Sequence, residues 1–312
     1  MSRRGRRGRD VDGVLVLDKP AAMSSNDAVQ KSKRLFGARK VGHTGSLDPL
    51  ATGVLPLCFG QATKFSRYLL DSDKRYRSRI KLGVATDTGD ADGKVVCSRS
   101  AAAVRGADVE RALTHFRGPI KQVPSMFSAI KHKGQPLYKL ARQGIEVERE
   151  ARDATIYSNE MTAFEGDEVE LEIHCSKGTY VRCIAEELGE RLGCGAHVSA
   201  LRRLQAGPYG EGDLITFDDL EQARARAALD PLLLPVSSTV RHWPDVRLPP
   251  AAAYHLRNGQ PVMVPQAPTS GWVRLSEAGE GPEHEGLGSR FLGVGEVLED
   301  GRIAPRRLVG QT

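Results

Sequence analysis

The first periodic segment is a short apolar run, Gly13-Val14-Leu15-Val16-Leu17-Asp18, which predicts a buried strand ended by Lys19-Pro20. Ser24, Ser25 or Asn26 can then cap a helix that runs to Phe36, with Gly37 just past its end. Residues 38–60 are rich in Gly and Pro and lack a clear period, so they read as a structured loop. Alternation returns at Tyr76–Leu82. Tyr76, Ser78, Ile80 and Leu82 share one face of a strand, and Arg77, Arg79 and Lys81 the other. Thr86-Asp87-Thr88-Gly89-Asp90 reads as a turn, and Asp108 as the cap of a helix ending before Gly118. Glu168–Cys175 alternates again, with Val169, Leu171, Ile173 and Cys175 on one side. After a Lys177-Gly178 turn, Val181, Ile184, Ala185, Leu188 and Leu192 recur at helical spacing until Gly193 stops them.

Strands and helices therefore mix without strict βαβ alternation. This predicts an α+β fold with a mixed, largely antiparallel sheet flanked by helices. A length of 312 residues suits two domains. The proline-rich stretch between residues 230 and 250 reads as a linker-like boundary. The remainder is short and strand-like at Trp272–Leu275 and Phe291–Leu298, which suits a small β-barrel-like module. The expected divisions are a disordered basic arm over 1–10, a main domain over 11–245 and the module over 246–312.

Hydrophobic residues make up 40% and charged residues 27%, as in a soluble globular protein. No apolar window of about 18 residues suggests a membrane span. The arginine-rich N-terminus has no signal-length apolar stretch behind it, so a cytoplasmic protein is expected. Cys58, Cys97, Cys175, Cys183 and Cys194 are scattered without a C-x-x-C pair, which disfavours a disulfide framework or a zinc ribbon. The net charge is +6 and unevenly placed. Five arginines fall in residues 1–9, and seven basic residues in each of 64–81 and 121–152. Such clusters suit a polyanion, although a solvated basic face carries the same charge.

The Gly-rich run after residue 41 matches neither a P-loop nor a dinucleotide fingerprint. What remains is one carboxylate, Asp48, fixed between Gly45 and Pro49 and near His43. Taken alone, an Asp before Pro is a turn or cap residue.

The whole run Gly42-His43-Thr44-Gly45-Ser46-Leu47-Asp48-Pro49-Leu50-Ala51-Thr52-Gly53-Val54-Leu55-Pro56 closely resembles the catalytic motif of bacterial tRNA pseudouridine-55 synthases of the TruB type. Four more segments resemble that family in the same order: Gly13–Pro20, Lys74-Arg75-Tyr76, Ser176–Arg182 and His197–Leu204. The resemblance is strong over roughly residues 13–235 and weak in the tail. It implies the pseudouridine-synthase fold and an isomerase that turns uridine into pseudouridine at position 55 in the T arm of tRNA.

The resemblance also implies roles. Asp48 attacks the target nucleotide and frees uracil to turn and rejoin through C5. With an ordinary pKa of about 3.9 it would be ionised without tuning. Arg182 is the implied ion partner, with Glu186, one helical turn on, as its alternative. Tyr76 stacks on the base and completes the catalytic set. Tyr180, Leu201 and Lys19 belong with the substrate, and His43 supports the RNA once the base is flipped out. No cofactor and no metal are implied. The basic segment of about 121–152 resembles an RNA-embracing insertion. Leu256–Gly259 and Gly293–Glu296 resemble parts of a PUA-type RNA-binding domain. The expected partner is tRNA, with no membrane and no obligate protein partner, the chain acting as a monomer. Two alternatives are an RNA-folding module on the same scaffold and a synthase guided to another RNA by protein partners.

Overall fold

The computed structural model describes residues 8–278 and 289–310. Most of the arginine-rich arm lies outside the described residues. Its last part is tied down: the backbone N–H of Arg9 donates to the Gly37 carbonyl at 2.8 Å, and its guanidinium grips Asp230. The expected disorder therefore does not extend to residues 8–10.

Strand β1 (Gly13–Lys19) is buried along nearly its whole length, as an unbroken apolar run requires. Helix α1 (Ser25–Leu35) starts at Ser24, whose hydroxyl accepts from the Asp27 backbone N–H at 3.1 Å. Residues 38–60 are not one loop. They hold β2 (Val41–His43) and the almost wholly buried β3 (Thr52–Phe59). Pro56 and the flanking glycines hid the apolar run Val54–Phe59, because such residues normally punctuate strands. A 3₁₀ turn and α2 (Ser66–Leu70) lead into β4 (Lys74–Leu82), which buries Ser78, Ile80 and Leu82 and exposes Arg77 and Arg79. The hairpin β5 (Val84–Thr86) and β6 (Val95–Ser98) encloses the predicted turn.

Helix α3 (Gly106–Leu113) begins earlier than expected. Arg105 occupies the cap position, and Asp108 in the first turn accepts from the Arg105 backbone N–H at 3.1 Å. After β7 (Gly118–Gln122), the basic segment forms β8 (Lys131–His132), β9 (Gln135–Pro136) and α4 (Leu137–Ala141). Met126, Leu137 and Leu140 give it a small core of its own. The main domain continues with β10 (Arg152–Glu165), β11 (Glu168–Cys175), α5 (Val181–Arg191), β12 (Ala196–Ala206), β13 (Tyr209–Gly210) and α6 (Phe217–Ala225).

The sheet runs in the order β1-β3-β12-β4-β11-β10-β7, with β2 paired to β3 and β13 to β12. Its pairings are antiparallel except for the short parallel contact of β12 with β3. Residues of α1, α3, α5 and α6 join Leu15, Leu17, Ile80 and Leu171 in one core. This contact of β3 with β12 and the β12–β4 pairing set the site, because they bring the residue 42–56 run, Leu201 and Tyr76 to neighbouring positions.

Residues 230–240 are not a free linker. Leu234 exchanges backbone hydrogen bonds with Val14 at 2.9 Å, and Ser238 bonds the buried Tyr209 hydroxyl at 2.9 Å. The prolines there start short 3₁₀ turns packed on the main domain, Pro231 inside the first and Pro235 capping the second. The C-terminal module comprises β14 (Asp245–Leu248), α7 (Pro250–Arg257), β15 (Gly271–Glu277), β16 (Arg290–Val297) and β17 (Ile303–Leu308). Its sheet order is β14-β15-β16-β17, with its own core around Leu256, Leu275 and Ile303. Rings hold it to the main domain: Phe65 meets Phe291 at 5.5 Å, and Trp272 meets Tyr68 at 5.5 Å and Trp243 at 5.6 Å. Each such pair contributes about 0.5–1.5 kcal/mol beyond area burial. No described helix is long and apolar enough to cross a membrane.

Candidate active site

Residues 44–51 join the antiparallel strands β2 and β3, and carry Asp48 at the lip of a cavity of about 370 Å³. A polar connection of this length would ordinarily be mobile. Here it is pinned from three sides. The Ser25 hydroxyl accepts from the Leu47 backbone N–H at 2.8 Å and donates to its carbonyl at 3.1 Å. The buried Arg203 guanidinium donates to the carbonyls of Val54 at 2.7 Å, Gly45 at 3.1 Å and Ser46 at 3.5 Å. Below, the Lys19 ammonium donates to Pro20 at 2.8 Å, Met23 at 2.7 Å and Pro49 at 3.3 Å, all backbone carbonyls. Gly53 completes the fit. Its φ is +96°, and a Cβ there would lie 2.3 Å from the Arg203 carbonyl oxygen.

Arg203→Met leaves these three carbonyls without their donor. Unsatisfied buried groups cost about 1–3 kcal/mol each, offset in part by relaxation and water. We expect a loss of about 2–4 kcal/mol of stability in urea unfolding. A change below about 0.5 kcal/mol, the range of ordinary surface substitutions, contradicts the pinning role.

Arg182 stands in the first turn of α5, with only 6% of its side chain exposed. Its Nε lies 3.0 Å from Asp48 Oδ2, and its Nη2 donates to Asp48 Oδ1 at 3.3 Å. Nη1 donates to the Thr88 carbonyl at 2.8 Å and lies 3.6 Å from Asp90 Oδ2. Nη2 also donates to the Phe127 carbonyl at 3.0 Å. The fork is thus spent on two carboxylates and two carbonyls, and Glu186 is not its ion partner. Asp90 is itself fixed by the Thr88 hydroxyl at 2.6 Å and the Asp92 backbone N–H at 3.2 Å.

Burial pushes the Asp48 carboxyl above its ordinary pKa, opposed by Arg182, aided by Asp90 and opposed by Lys19. The expectation that Asp48 needs no tuning is therefore revised: its side chain, 38% exposed at the cavity lip, is still desolvated enough to raise its pKa, and the Arg182 and Lys19 charges favour its ionised form. Burial lowers Lys19 to about 8, against the raising influence of Asp48. Burial also raises the Tyr76 hydroxyl, which the Arg203 charge opposes. Tyr180 is raised by burial as well, with Ser128 opposing.

Tyr76 on β4, Tyr180 at the head of α5, Leu201 on β12, Arg182 and Asp48 all line this cavity. Lys19 does not. It is fully buried, with its ammonium protons on backbone carbonyls, so its placement as a substrate-binding group is corrected to that of a pin under the Asp48 loop. His43 stands on β2 outside the cavity wall, where burial lowers its pKa and its Nδ1 has no partner among the described residues.

Asp90, Arg203 and Gln122 were not singled out from the sequence. Gln122 ends β7, and its side-chain amide holds the Tyr180 backbone at both ends: Oε1 accepts from the N–H at 3.0 Å, and Nε2 donates to the carbonyl at 3.2 Å. That clamp sets the start of α5 two residues before Arg182. An Asp in a turn and a Gln at a strand end are common surface residues, so spacing alone carried no signal for either.

Sequence profiles of one family cover almost the whole chain. The TruB family pseudouridylate synthase N-terminal domain matches residues 33–181, the tRNA pseudouridylate synthase B C-terminal domain 182–241, and the pseudouridine synthase II TruB C-terminal domain 244–309. The tRNA pseudouridine synthase B of Serratia proteamaculans is 54% identical over 99% of this chain and 98% of its own. That of Tolumonas auensis is 53% identical over 99% and 96%. Among solved structures, a Cbf5–Nop10–Gar1 complex shares the fold, with a TM-score of 0.72 at 24% identity over 96% of this chain and 85% of the other. With that match, and with the motif run built into a pinned loop around Asp48, the chain belongs to the TruB family of pseudouridine synthases.

Proposed function

We propose that this protein isomerises uridine to pseudouridine at position 55 in the T arm of tRNA, with Asp48 as the nucleophile. The observation that carries the reading is the Asp48–Arg182 pair at 3.0 Å, opening into a cavity walled by Tyr76, Tyr180 and Leu201. The names of the relatives support tRNA as the substrate. The motif resemblance supports the T-arm position.

A stacked uridine cannot reach a walled cavity, so the target nucleotide is extruded at a cost of a few kcal/mol. The ring then stacks on Tyr76, between Leu201 and Tyr180. Asp48 attacks as a carboxylate. The N1–C1′ bond breaks, the ring turns, a C5–C1′ bond forms, and the bond to Asp48 breaks so that its carboxylate is regenerated. The C5 proton leaves and N1 takes one, so atoms and charge balance. Attack at C1′ and attack on the ring both need the ionised acid. His43, on the strand leading to the loop, supports the RNA from outside the cavity. Lysines and arginines of 121–152 and the C-terminal module meet phosphates, which makes affinity fall with salt. The reaction needs no partner protein, and the purified monomer suffices.

The acid limb follows from the carboxyl. A raised pKa means Asp48 loses its charge, and activity with it, as pH falls through a value above the usual aspartate range of about 3.9. In kcat/KM against pH on unmodified tRNA, the acid inflection is expected above that range. An inflection at or below it contradicts the burial reading.

The reading as a whole is tested with purified protein and an unmodified tRNA transcript carrying tritium at uridine C5. Release of one equivalent of tritium per tRNA supports it, and no release by protein that binds the tRNA overturns it.

A further inference from the structure

Helix α5 starts without a cap of its own. Tyr180 stands at the cap position with an extended backbone, φ −104° and ψ 105°, and its side chain makes no capping hydrogen bond. Ser, Thr, Asp or Asn ordinarily fills that position, because a short polar side chain takes up an unpaired N–H of the first turn. The chain arrives through a turn in which Gly178 has φ +79° and nothing packs where its Cβ would be. Further along, Ile184, Ala185 and Leu188 are fully buried in the main core and lock the helix body. In the head, Val181 is rooted in that core, while Tyr180 and Arg182 turn into the Asp48 cavity.

The missing hold comes from another element. Gln122 ends β7, the last strand in the sheet order, and is only 7% exposed. Its amide accepts from the Tyr180 N–H at 3.0 Å and donates to the Tyr180 carbonyl at 3.2 Å. The side chain carries a donor and an acceptor on one carbon, and so matches a residue that presents one of each. Glu lacks the donor, and Asn is one carbon too short. The residues that follow touch the same helix head twice more. The Val123 carbonyl accepts from the Cys183 thiol at 3.5 Å, and the Phe127 carbonyl accepts from Arg182 Nη2 at 3.0 Å. Of these three contacts, that of Gln122 is the one that grips the helix backbone. Gln122 does not line the cavity, so any effect it has on the reaction passes through α5.

Resting on the proposed reaction, we propose that Gln122 is a positioning residue: by clamping both polar groups of Tyr180 it fixes the head of α5, and with it the place of the Arg182 guanidinium against Asp48. The Arg182 fork spans Asp48, Asp90 and the carbonyls of Thr88 and Phe127 at once, so it tolerates little movement of the backbone beneath it.

The test uses Gln122→Met in the full chain. Methionine keeps the length and bulk of the side chain and removes both hydrogen bonds. The single-turnover rate at saturating tRNA is expected to fall about 10–100-fold, the scale on which a displacement of about 1 Å acts, while tRNA binding stays within about twofold of wild type. Arg182 holds the Asp48 pKa down, so its displacement moves the acid limb of the rate to higher pH. Asp90, Asp92 and Lys19, the other charged groups facing Asp48, are left in place. A merely structural loss would lower the rate at every pH alike and leave the limb where it was. In an Arg182→Met background, Gln122→Met should cost no more than about threefold, because the group it positions is gone. Gln122→Asn is the second variant. It keeps a polar side chain that falls short of Tyr180, should give the same results, and decides the matter alone if Gln122→Met does not fold. A wild-type rate in either folded variant overturns the proposal. So does an unmoved acid limb, or an equal cost with and without Arg182. Failure of the uridine reading appears separately, as wild-type protein that binds tRNA and releases no tritium.

Discussion

Asp48→Asn is expected to lower pseudouridine formation by about 10⁴-fold or more, the scale seen when a covalent nucleophile is removed. The amide matches the carboxylate in size, so the pinned loop should hold: its anchors are Ser25, Arg203 and Lys19, and none bonds the Asp48 side chain. Binding of tRNA should therefore stay within a few-fold of wild type. Single-turnover kinetics and binding measured on the same preparation separate the two quantities. If tritium release persists at the wild-type rate, Asp48 is not the nucleophile. If the variant still speeds tRNA folding as wild type does, an RNA-remodelling role exists apart from the chemistry.

The second large effect is at Arg182. Arg182→Lys keeps the charge but loses the planar fork, which here reaches Asp48, Asp90 and the carbonyls of Thr88 and Phe127 together. A single ammonium cannot serve that set. A loss of about 10²–10³-fold in kcat is expected, typical of misplacing one preorganised charged group. Arg182→Met goes further in a diagnostic way. It removes the main influence holding the Asp48 pKa down and leaves burial and Asp90 to push it up. The acid limb of kcat/KM then moves to higher pH than in the wild type. A lower rate with an unmoved limb would mean that Arg182 shapes the loop without governing the charge on Asp48.

Much of the fold was legible because burial leaves a period. The alternation over β4 and β11 and the helical spacing in α5 predicted those elements, and β1 announced itself as an unbroken apolar run. The failures share a cause. Gly53 and Pro56 read as loop residues, yet both lie within β3, where Gly53 lets the backbone approach Arg203 closely and Pro56 pairs with Val16 of β1. Prolines near residue 235 read as a linker but start short turns packed beside the β1 strand. Local propensity describes a residue's own backbone, and in both places tertiary contact overrode it.

The site was legible in a different sense. Asp48, Tyr76, Tyr180, Arg182 and Leu201 were named from a motif resemblance, and the fold gathers all five round one cavity. Lys19 was named from the same resemblance, but its role as a buried pin could be read only from its hydrogen bonds to three carbonyls. Asp90 and Gln122 act through Arg182 and Tyr180 across long sequence separations. Nothing in a single sequence distinguishes such residues from surface polar ones. Burial also changes the expectation for Asp48, whose pKa it moves up while the Arg182 and Lys19 charges oppose it.

The most direct test of the central claim is to incubate the purified protein alone with an unmodified tRNA transcript and map pseudouridine at nucleotide resolution. The account predicts stoichiometric pseudouridine at position 55 and none elsewhere. Pseudouridine at another position with uridine 55 intact, or none at all from folded protein that binds the tRNA, would contradict it.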